Sequence, residues 1–301
     1  MPQMMTQSPY HVHKTSLPRA MPTKQQTCCV LSSGATLSLF VLSLMYSTPK
    51  SIQWHNPLPT PNLNYIMPWS GQSSTFDGIG FLVMTSSATI HLHSAQRQTF
   101  LRGAQNVWAF ADAPFPPIAR TLSSLEGRPT WNDAQHRQLL GGQYLIEKNL
   151  IPGDIKWVFF IDDDTWVNGY ALRGFLNAFK PLPASFVCGH HWESNYMLNG
   201  GAGILMGRGV FDTVVPRLYT PECPFQGTND NTLTVCVRTI PNATILHSRL
   251  FSFYPAHIDS TNDYMEQITM HQVKDPELMR QMTDNAHNFY TSYHRDTVLL
   301  E

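Results

Sequence analysis

Apolar and polar residues follow one another along the chain in blocks that are typical of short strands and amphipathic helices. Apolar runs bounded by polar residues predict three strands, at 80–85, 107–111 and 156–161. Helical patterns predict three helices, at 96–105, 131–149 and 170–179. Strands that alternate with helices indicate an α/β fold with a mostly parallel, doubly wound sheet, whose ligands bind beyond the carboxyl ends of the strands.

The N-terminal part of the chain has a different pattern. Residues 27–48 include no charged residue and no histidine, and at about 1.5 Å per residue a helix of this length crosses a hydrocarbon layer of about 30 Å. Lys14, Arg19 and Lys24 precede this segment, and only Lys50 follows it closely. The positive-inside rule then predicts a signal-anchor with a cytoplasmic N-terminus. A cleaved secretory signal and a mitochondrial presequence are the alternatives.

The acidic residues divide the chain near the same place. The first of them is Asp77, and residues 49–75 are rich in proline and small polar residues, which is typical of an extended stem. We therefore predict four regions: a cytoplasmic tail at 1–26, a transmembrane helix at 27–48, a stem at 49–75 and a lumenal domain at 76–301.

Composition and charge exclude some classes of function. Hydrophobic residues make up 42% of the chain, which is enough for a core and excludes wholesale disorder. The 20 basic and 21 acidic residues leave a formal net charge of −1, so there is no summed positive field to attract nucleic acid. We expect no nucleic-acid partner.

The strongest chemical signal is a run of three carboxylates, Asp162, Asp163 and Asp164, directly after the predicted strand at 156–161. Adjacent buried carboxylates raise one another's pKa unless a cation or a set of hydrogen-bond donors neutralises them. Oxygen ligands suit Mg²⁺ or Mn²⁺, and such an ion typically bridges phosphate oxygens. The alternative is that these residues only cap the helix that begins near Gly169.

Three segments in order carry a family resemblance. Residues 157–168, residues 199–209 with their Gly-Gly-Ala-Gly sequence, and Asn229-Asp230-Asn231 between two cysteines resemble the Fringe-like β-1,3-glycosyltransferases. The likeness extends over roughly residues 78–280. It implies a GT-A type nucleotide-sugar-binding fold and a metal-dependent, inverting transfer from a UDP-sugar.

The resemblance also implies roles for individual acids. Asp163 matches the residue that contacts the donor, Asp164 matches the metal ligand, and Asp162, which begins the triplet, is a candidate for both roles. Asp230 matches the catalytic base, although Gly-Thr-Asn-Asp-Asn is also strong turn chemistry. His257 is a candidate third metal ligand, because the family places a histidine just after a Leu-Phe pair and none follows Leu250-Phe251 directly.

Further residues are candidates for donor binding. Glycines permit a close approach of the backbone to a sugar, and they also form turns. Arg97 matches a donor-contacting arginine of the family, although it is equally typical of a surface cation. The candidate donor-binding residues, besides the acids, are Arg97, Thr85, Gly200, Gly201 and Gly203.

The sequence departs from the family in ways that keep other functions open. The second acid pair is Asn229-Asp230, and a lysine common in the helix before the acidic strand is replaced near Gly141-Gly142. One alternative is a Fringe-like glycan-binding protein without catalytic activity. Another is a haloacid-dehalogenase-like phosphohydrolase, in which an apolar strand is followed by D-x-D.

Cysteines and a sequon agree with a lumenal location. An oxidising lumen and the family resemblance favour a bridge between Cys223 and Cys236, which leaves Cys188 as a buried thiol. Cys28 and Cys29 are candidates for palmitoylation or for simple packing at the membrane edge. Asn242 begins the one glycosylation sequon.

The leading hypothesis is therefore a single-pass type II enzyme of the Golgi or endoplasmic-reticulum membrane. Its expected cofactor is Mn²⁺ or Mg²⁺. Its expected partners are a UDP-sugar donor, a glycan or glycoprotein acceptor and the membrane.

Overall fold

A seven-stranded sheet carries the fold, in the strand order β3-β2-β1-β4-β7-β6-β8. The described residues of this computed structural model are 76–178, 185–191, 197–253 and 264–298. Six of the seven strands run in one direction, and β7 is antiparallel to both of its neighbours, β4 and β6. The expected α/β fold is therefore present as a mixed, mostly parallel sheet.

The strands are short and the helices lie between them. The strands are β1 Ile79–Met84, β2 Val107–Ala111, β3 Arg120–Thr121, β4 Trp157–Asp162, β5 Trp166–Val167, β6 Phe186–Gly189, β7 Ile204–Gly207, β8 Thr244–His247, β9 Phe251–Ser252 and β10 Thr269–Met270. The helices are α1 Ile90–Gln98, α2 Trp131–Glu147, α3 Gly169–Ala178, α4 Arg208–Val214, α5 Asn229–Arg238 and α6 Pro276–Val298. The strands β5, β10 and β9 form a second, three-stranded sheet.

The two central strands are apolar throughout because both faces of the sheet are covered. Alternate side chains of a strand point to opposite faces. In β4, Phe159 and Ile161 therefore join the core beneath α1, α3 and α6, whereas Val158 and Phe160 join the core beneath α2, α4 and α5. This double burial holds the carboxyl end of β4, where the acidic triplet follows, at the centre of one edge of the sheet.

Helix α2 begins and packs as its sequence dictates. The Thr130 hydroxyl accepts a hydrogen bond from the Asp133 backbone N–H and caps its N-terminus. Gly141, in the middle of the helix, lies against the Phe110 ring of β2, and a Cβ there would come within 2.3 Å of that ring. The glycines at 141–142 therefore serve close packing of the helix on the sheet.

One predicted element is misplaced. The helix expected at 96–105 is α1, which occupies Ile90–Gln98 and ends before Thr99. The Thr99 hydroxyl donates to the Ala95 carbonyl, and Gly103 adopts a φ of +85°, so the chain turns where a helix was predicted. The other two helices and the three strands lie close to their predicted positions.

The predicted tail, transmembrane segment at 27–48 and stem lie outside the described residues. Within the part of the chain that is described, no helix combines the length and the apolar character needed to cross a membrane.

Candidate metal centre and active site

A cavity of about 740 Å³ opens at the carboxyl edge of β1 and β4. The loop after β1, the acidic triplet after β4 and the N-terminal ends of α2 and α5 contribute its walls. Of the sequence-predicted site residues, it is lined by Thr85, Asp162, Asp163, Asp164, Gly200, Gly201 and Asp230. The fold therefore brings most of the predicted site together in one place.

Two of the aspartates and a histidine form a cluster that could hold a metal ion. Asp162, Asp164 and His271 each offer one ligand atom, and these atoms all lie within 4.8 Å of one another. The Nε2 atom of His271 is 3.2 Å from Asp164 Oδ1 and 3.6 Å from Asp162 Oδ2. We call these three residues the acidic–imidazole cluster.

The ionisation of the cluster reflects its burial. Burial raises the pKa of Asp162, although its interaction with His271 opposes the shift. Burial alone would lower the pKa of His271, but hydrogen bonds to Asp162 and Asp164 outweigh it and raise that pKa to about 9. With this raised pKa the imidazole of His271 is protonated at neutral pH, and its positive charge lies beside the carboxyl groups of Asp162 and Asp164.

His271 was missed by the sequence analysis because it reaches the site from a neighbouring strand. The family resemblance predicts a histidine just after Leu250-Phe251, where β9 lies. In the structure β9 pairs with β10, and His271 follows β10 so that its N–H donates to the Ser252 carbonyl at 3.1 Å. The imidazole thus reaches Asp162 and Asp164 from a position later in the sequence than the predicted one. His257, the predicted ligand, lies outside the described residues.

A glycine makes room for this imidazole. A Cβ on Gly201 would lie 2.4 Å from Cε1 of His271 and 2.6 Å from each ring nitrogen. The Gly201 carbonyl also accepts a hydrogen bond from Thr165 at 2.9 Å, which ties the glycine segment to the residue after the acidic triplet. The close approach that the sequence predicted at Gly201 is therefore made to a side chain of the cluster.

Asp163 points away from the cluster towards the loop after β1. Its Oδ2 accepts a 2.7 Å hydrogen bond from the Thr85 hydroxyl, so two predicted donor-binding residues are in direct contact. Burial raises the pKa of Asp163 to about 7, against the effect of hydrogen bonds from Thr89 and Thr85. Its carboxyl group therefore changes charge near neutral pH.

A buried cation on α2 supports the loop after β1. The guanidinium of Arg137 is fully buried, donates to the Thr85 carbonyl at 3.1 Å and lies 4.0 Å from Asp112. Asp112 accepts hydrogen bonds from the backbone N–H and the hydroxyl of Ser87, both at 2.6 Å. These bonds lower the pKa of Asp112 despite its burial. Arg137 is thus a basic residue of α2 that the sequence analysis did not identify.

Asp230 lies in the first turn of α5 and is held by three hydrogen-bond donors. Its Oδ2 accepts from the Gly200 N–H at 3.0 Å. Its Oδ1 accepts from the Asn231 N–H at 2.7 Å and from the Thr228 hydroxyl. The preceding Asn229 is buried and donates to Gln138 at 2.5 Å, so the family's first acid is replaced here by an amide with a structural partner.

Two predicted donor-binding residues do not line the cavity. The guanidinium of Arg97 donates to the Ala104 carbonyl at 3.1 Å, beyond the end of α1. Gly203 has a φ of +86° and packs against the core, where a Cβ would come within 2.7 Å of the Phe159 ring. Its glycine is therefore explained by backbone conformation and packing.

The predictions for Cys223, Cys236 and Cys188 are confirmed, whereas Cys28 and Cys29 lie outside the described residues. Cys223 and Cys236 form a disulfide with a Cα–Cα distance of 5.1 Å, and Cys188 is a free, fully buried thiol. The bridge ties the segment before α5 to the last turn of that helix. It therefore restrains the chain on both sides of Asp230.

The chain is similar to one protein family and to a solved structure. No curated protein matches the chain significantly. Among solved structures, a glycosyltransferase involved in the glycosylation of the major capsid of PBCV-1 has a TM-score of 0.43 and 11% sequence identity, with 68% of this chain and 98% of that chain covered. The profile of the Fringe-like family matches residues 97–294.

The fold and the site define an α/β protein with a candidate metal centre at the carboxyl edge of its sheet. The family match extends over more than half of the chain and includes the acidic triplet, the glycine segment, Asp230 and His271. The chain belongs to the Fringe-like family of glycosyltransferases. The family predicted from the three motifs is thereby confirmed.

Proposed function

We propose that this protein is a metal-dependent, inverting glycosyltransferase that transfers a sugar from a UDP-sugar to a hydroxyl group of a glycan or glycoprotein, with a β-1,3 linkage. Family membership supports the reaction class. The observation that carries the proposal is the arrangement of two adjacent glycines between a candidate base and a candidate metal centre. Gly200 donates to Asp230, and Gly201 lies against His271.

The donor set fits a divalent cation. Two carboxylates and an imidazole converge within 4.8 Å, and the imidazole nitrogen favours Mn²⁺ over Mg²⁺, which prefers oxygen ligands. Asp162, Asp164 and His271 would hold the ion. When bound, it would offset the negative charge that develops on the departing diphosphate.

Asp230 is the residue that would act as the catalytic base. In an inverting transfer the acceptor oxygen attacks the anomeric carbon, the bond from that carbon to the UDP oxygen breaks, and the acceptor proton passes to a base. A carboxylate offers about four lone-pair sites. Asp230 uses three of them for Gly200, Asn231 and Thr228, which fixes its orientation and leaves one for the acceptor hydroxyl.

The other candidate functions have less support. The family match favours glycosyl transfer over a haloacid-dehalogenase-like phosphohydrolase. A glycan-binding protein without activity was suggested by the absence of a histidine after Leu250-Phe251. His271 supplies an imidazole beside Asp164, so the absence of a histidine after Leu250-Phe251 is no longer a reason to expect inactivity. The replacement of the first acid by Asn229 leaves Asp230 in place.

We further propose that the catalytic part lies in the lumen of the Golgi apparatus or endoplasmic reticulum, held by the hydrophobic segment at 27–48. The Cys223–Cys236 disulfide supports this location, because disulfides form and persist in oxidising compartments.

The experiment that tests the function is UDP release by the purified full chain with a panel of UDP-sugars, Mn²⁺ and glycan acceptors. We expect Asp164→Asn to weaken Mn²⁺ binding, and Asp230→Asn to lower kcat about 10²–10⁴-fold while Mn²⁺ and UDP still bind. The matched control is Asp284→Asn, because Asp284 is an exposed carboxylate on α6. Folded wild-type protein that takes up neither Mn²⁺ nor UDP would contradict the proposal.

A further inference from the structure

The wall of the cavity nearest to α2 presents an exposed tryptophan. Trp131, the first residue of that helix, lines the cavity with 62% of its surface exposed. Across the described ranges, the only other large hydrophobic side chain with comparable exposure is Tyr219, at 38%, and it does not line the cavity. An indole that stays in water at the mouth of a functional cavity is typical of a binding surface.

A buried amide donor lies one helical turn away on the same face of α2. Gln135 lines the cavity and is fully buried. Its Oε1 accepts a hydrogen bond from the Asn229 N–H at 2.8 Å, whereas its Nε2 has no hydrogen-bond partner within the described part of the protein. Buried donors are normally paired, so an oxygen atom of a ligand would satisfy this one.

The charge of this wall differs from that of the rest of the cavity. The residues that the α2 segment contributes to the cavity carry no charge: Pro129, Trp131, Ala134 and Gln135. The charged and titratable residues of the cavity lie outside that segment: the acidic–imidazole cluster, Asp163, Asp230 and Lys274. With a divalent cation bound, the cluster would attract a diphosphate. The uncharged wall formed by α2 instead suits a neutral ligand with one apolar face and hydrogen-bonding edges.

The position of Asp230 identifies that ligand. Gln135 holds the backbone N–H of Asn229, the residue directly before Asp230. A general base must lie within hydrogen-bond reach of the hydroxyl that it deprotonates. A ligand that covers Trp131 and Gln135 is thus next to the group proposed to activate the acceptor.

We propose that Trp131 and Gln135 form the subsite for the acceptor sugar. The indole covers the C–H face of a neutral pyranose, and Nε2 of Gln135 donates to one of its oxygen atoms. This assignment rests on the proposed function, because it takes Asp230 as the base. A uracil ring would also stack on an indole, so a nucleobase is the rival occupant that the experiment must distinguish.

In the first experiment the full chain is titrated with methyl glycosides of galactose, N-acetylgalactosamine, N-acetylglucosamine and fucose, and saturation-transfer NMR measures binding. In the second experiment calorimetry measures the binding of UDP in the presence of Mn²⁺. We expect Trp131→Ala to weaken glycoside binding about tenfold or more, Trp131→Phe to retain part of it, and UDP affinity to stay unchanged in both. Gln135→Glu, which keeps the acceptor for Asn229 but loses the donor, should also weaken glycoside binding. Tyr219→Ala is the matched control and should bind like the wild type.

Three results would overturn the assignment: wild-type protein that binds none of the glycosides, Trp131→Ala with unchanged glycoside affinity, or Trp131→Ala that loses UDP affinity instead. Failure of the proposed function has a separate signature. In that case the wild type shows no UDP affinity, while glycoside binding still depends on Trp131, and the subsite remains as a glycan-binding site.

Discussion

Substitution of Gly201 by alanine should damage the metal centre in a way that can be calculated from the structure. The added Cβ would lie 2.4 Å from Cε1 of His271. Carbon atoms in contact prefer a separation of about 3.5–4.0 Å, so the imidazole has to retreat by about 1 Å. Gly201 has no unusual φ, and the effect of the methyl group is therefore steric.

A shift of this size exceeds what a coordination sphere tolerates. Metal–ligand distances are held within about 0.2 Å, and Nε2 of His271 already lies 3.2 Å from Asp164 Oδ1. Displacing one of three protein ligands should weaken Mn²⁺ binding about tenfold or more, which corresponds to ~1.4 kcal/mol. Overpacking should also destabilise the metal-free fold by about 1–3 kcal/mol, which a thermal melt measures independently.

The assay is calorimetric titration of the full chain with Mn²⁺, together with a circular dichroism spectrum that shows each variant to be folded. Gly153→Ala is the matched control, since no atom lies within 4 Å of a Cβ there. Gly200→Ala places its Cβ 3.3 Å from Asp230 and should perturb the base more than the metal. Wild-type Mn²⁺ affinity in folded Gly201→Ala would refute the reasoning.

Other parts of the structure give three more predictions. Hydrogen bonds raise the pKa of His271 to about 9, so Mn²⁺ binding at pH 7 must displace a proton from its imidazole. Calorimetry in buffers of different ionisation enthalpy should therefore show that His271→Gln releases about one proton fewer than the wild type on binding Mn²⁺. Replacing both Cys223 and Cys236 by alanine removes a disulfide between residues 13 apart in the sequence. Urea titrations should show a free energy of unfolding about 3 kcal/mol lower, and Cys188→Ala is the control that keeps the bridge. Burial, together with His191, His190 and Arg249, lowers the pKa of His247 to about 4, below its usual 6.5. The unfolded chain therefore takes up this proton first, so His247 should reduce stability as the pH falls from about 6.5 towards 4, and His247→Asn should flatten that part of the stability profile.

Each of these predictions has its own contradicting result. Equal proton release by His271→Gln and the wild type would mean that the imidazole is not displaced. An unchanged urea midpoint in the double cysteine variant would mean that the bridge does not restrain the unfolded chain. Parallel stability profiles for His247→Asn and the wild type between pH 4 and 6.5 would mean that another group is responsible for the acid sensitivity.

The strands could be predicted because their cause is local. Residues 156–161 are continuously apolar, and such a run is stable only where both faces of a sheet are covered, as they are around β4. The antiparallel direction of β7 could not be predicted in the same way. Its partners are β4 and β6, and nothing within Ile204–Gly207 itself specifies which way the strand runs beside them.

The site was predictable to the extent that its residues are consecutive. Asp162 to Asp164 follow one strand, and Gly200 and Gly201 are neighbours, so their proximity is visible in the sequence. His271 was not predictable, because its place depends on the pairing of β9 with β10, two strands of only two residues each. Trp131 and Gln135 were hidden for another reason: helical spacing alone does not tell whether a face of α2 meets the core or a cavity.

One buried side chain explains how the candidate metal centre and the candidate base keep a fixed separation. Gln138 of α2 donates from Nε2 to the carbonyl of Leu82 in β1 at 3.0 Å and to the carbonyl of Ile161 in β4 at 3.1 Å. Its Oε1 accepts from Asn229, directly before Asp230. The amide is almost fully buried and uses both of its donors, so it has no alternative partners in solvent. The strand end that carries Asp162 and the helix end that carries Asp230 are therefore joined through a single rigid group. Donor and acceptor sites that must meet within about 3 Å at the reacting carbon need such a connection, because a misplacement of 1 Å can cost about 10²-fold in rate.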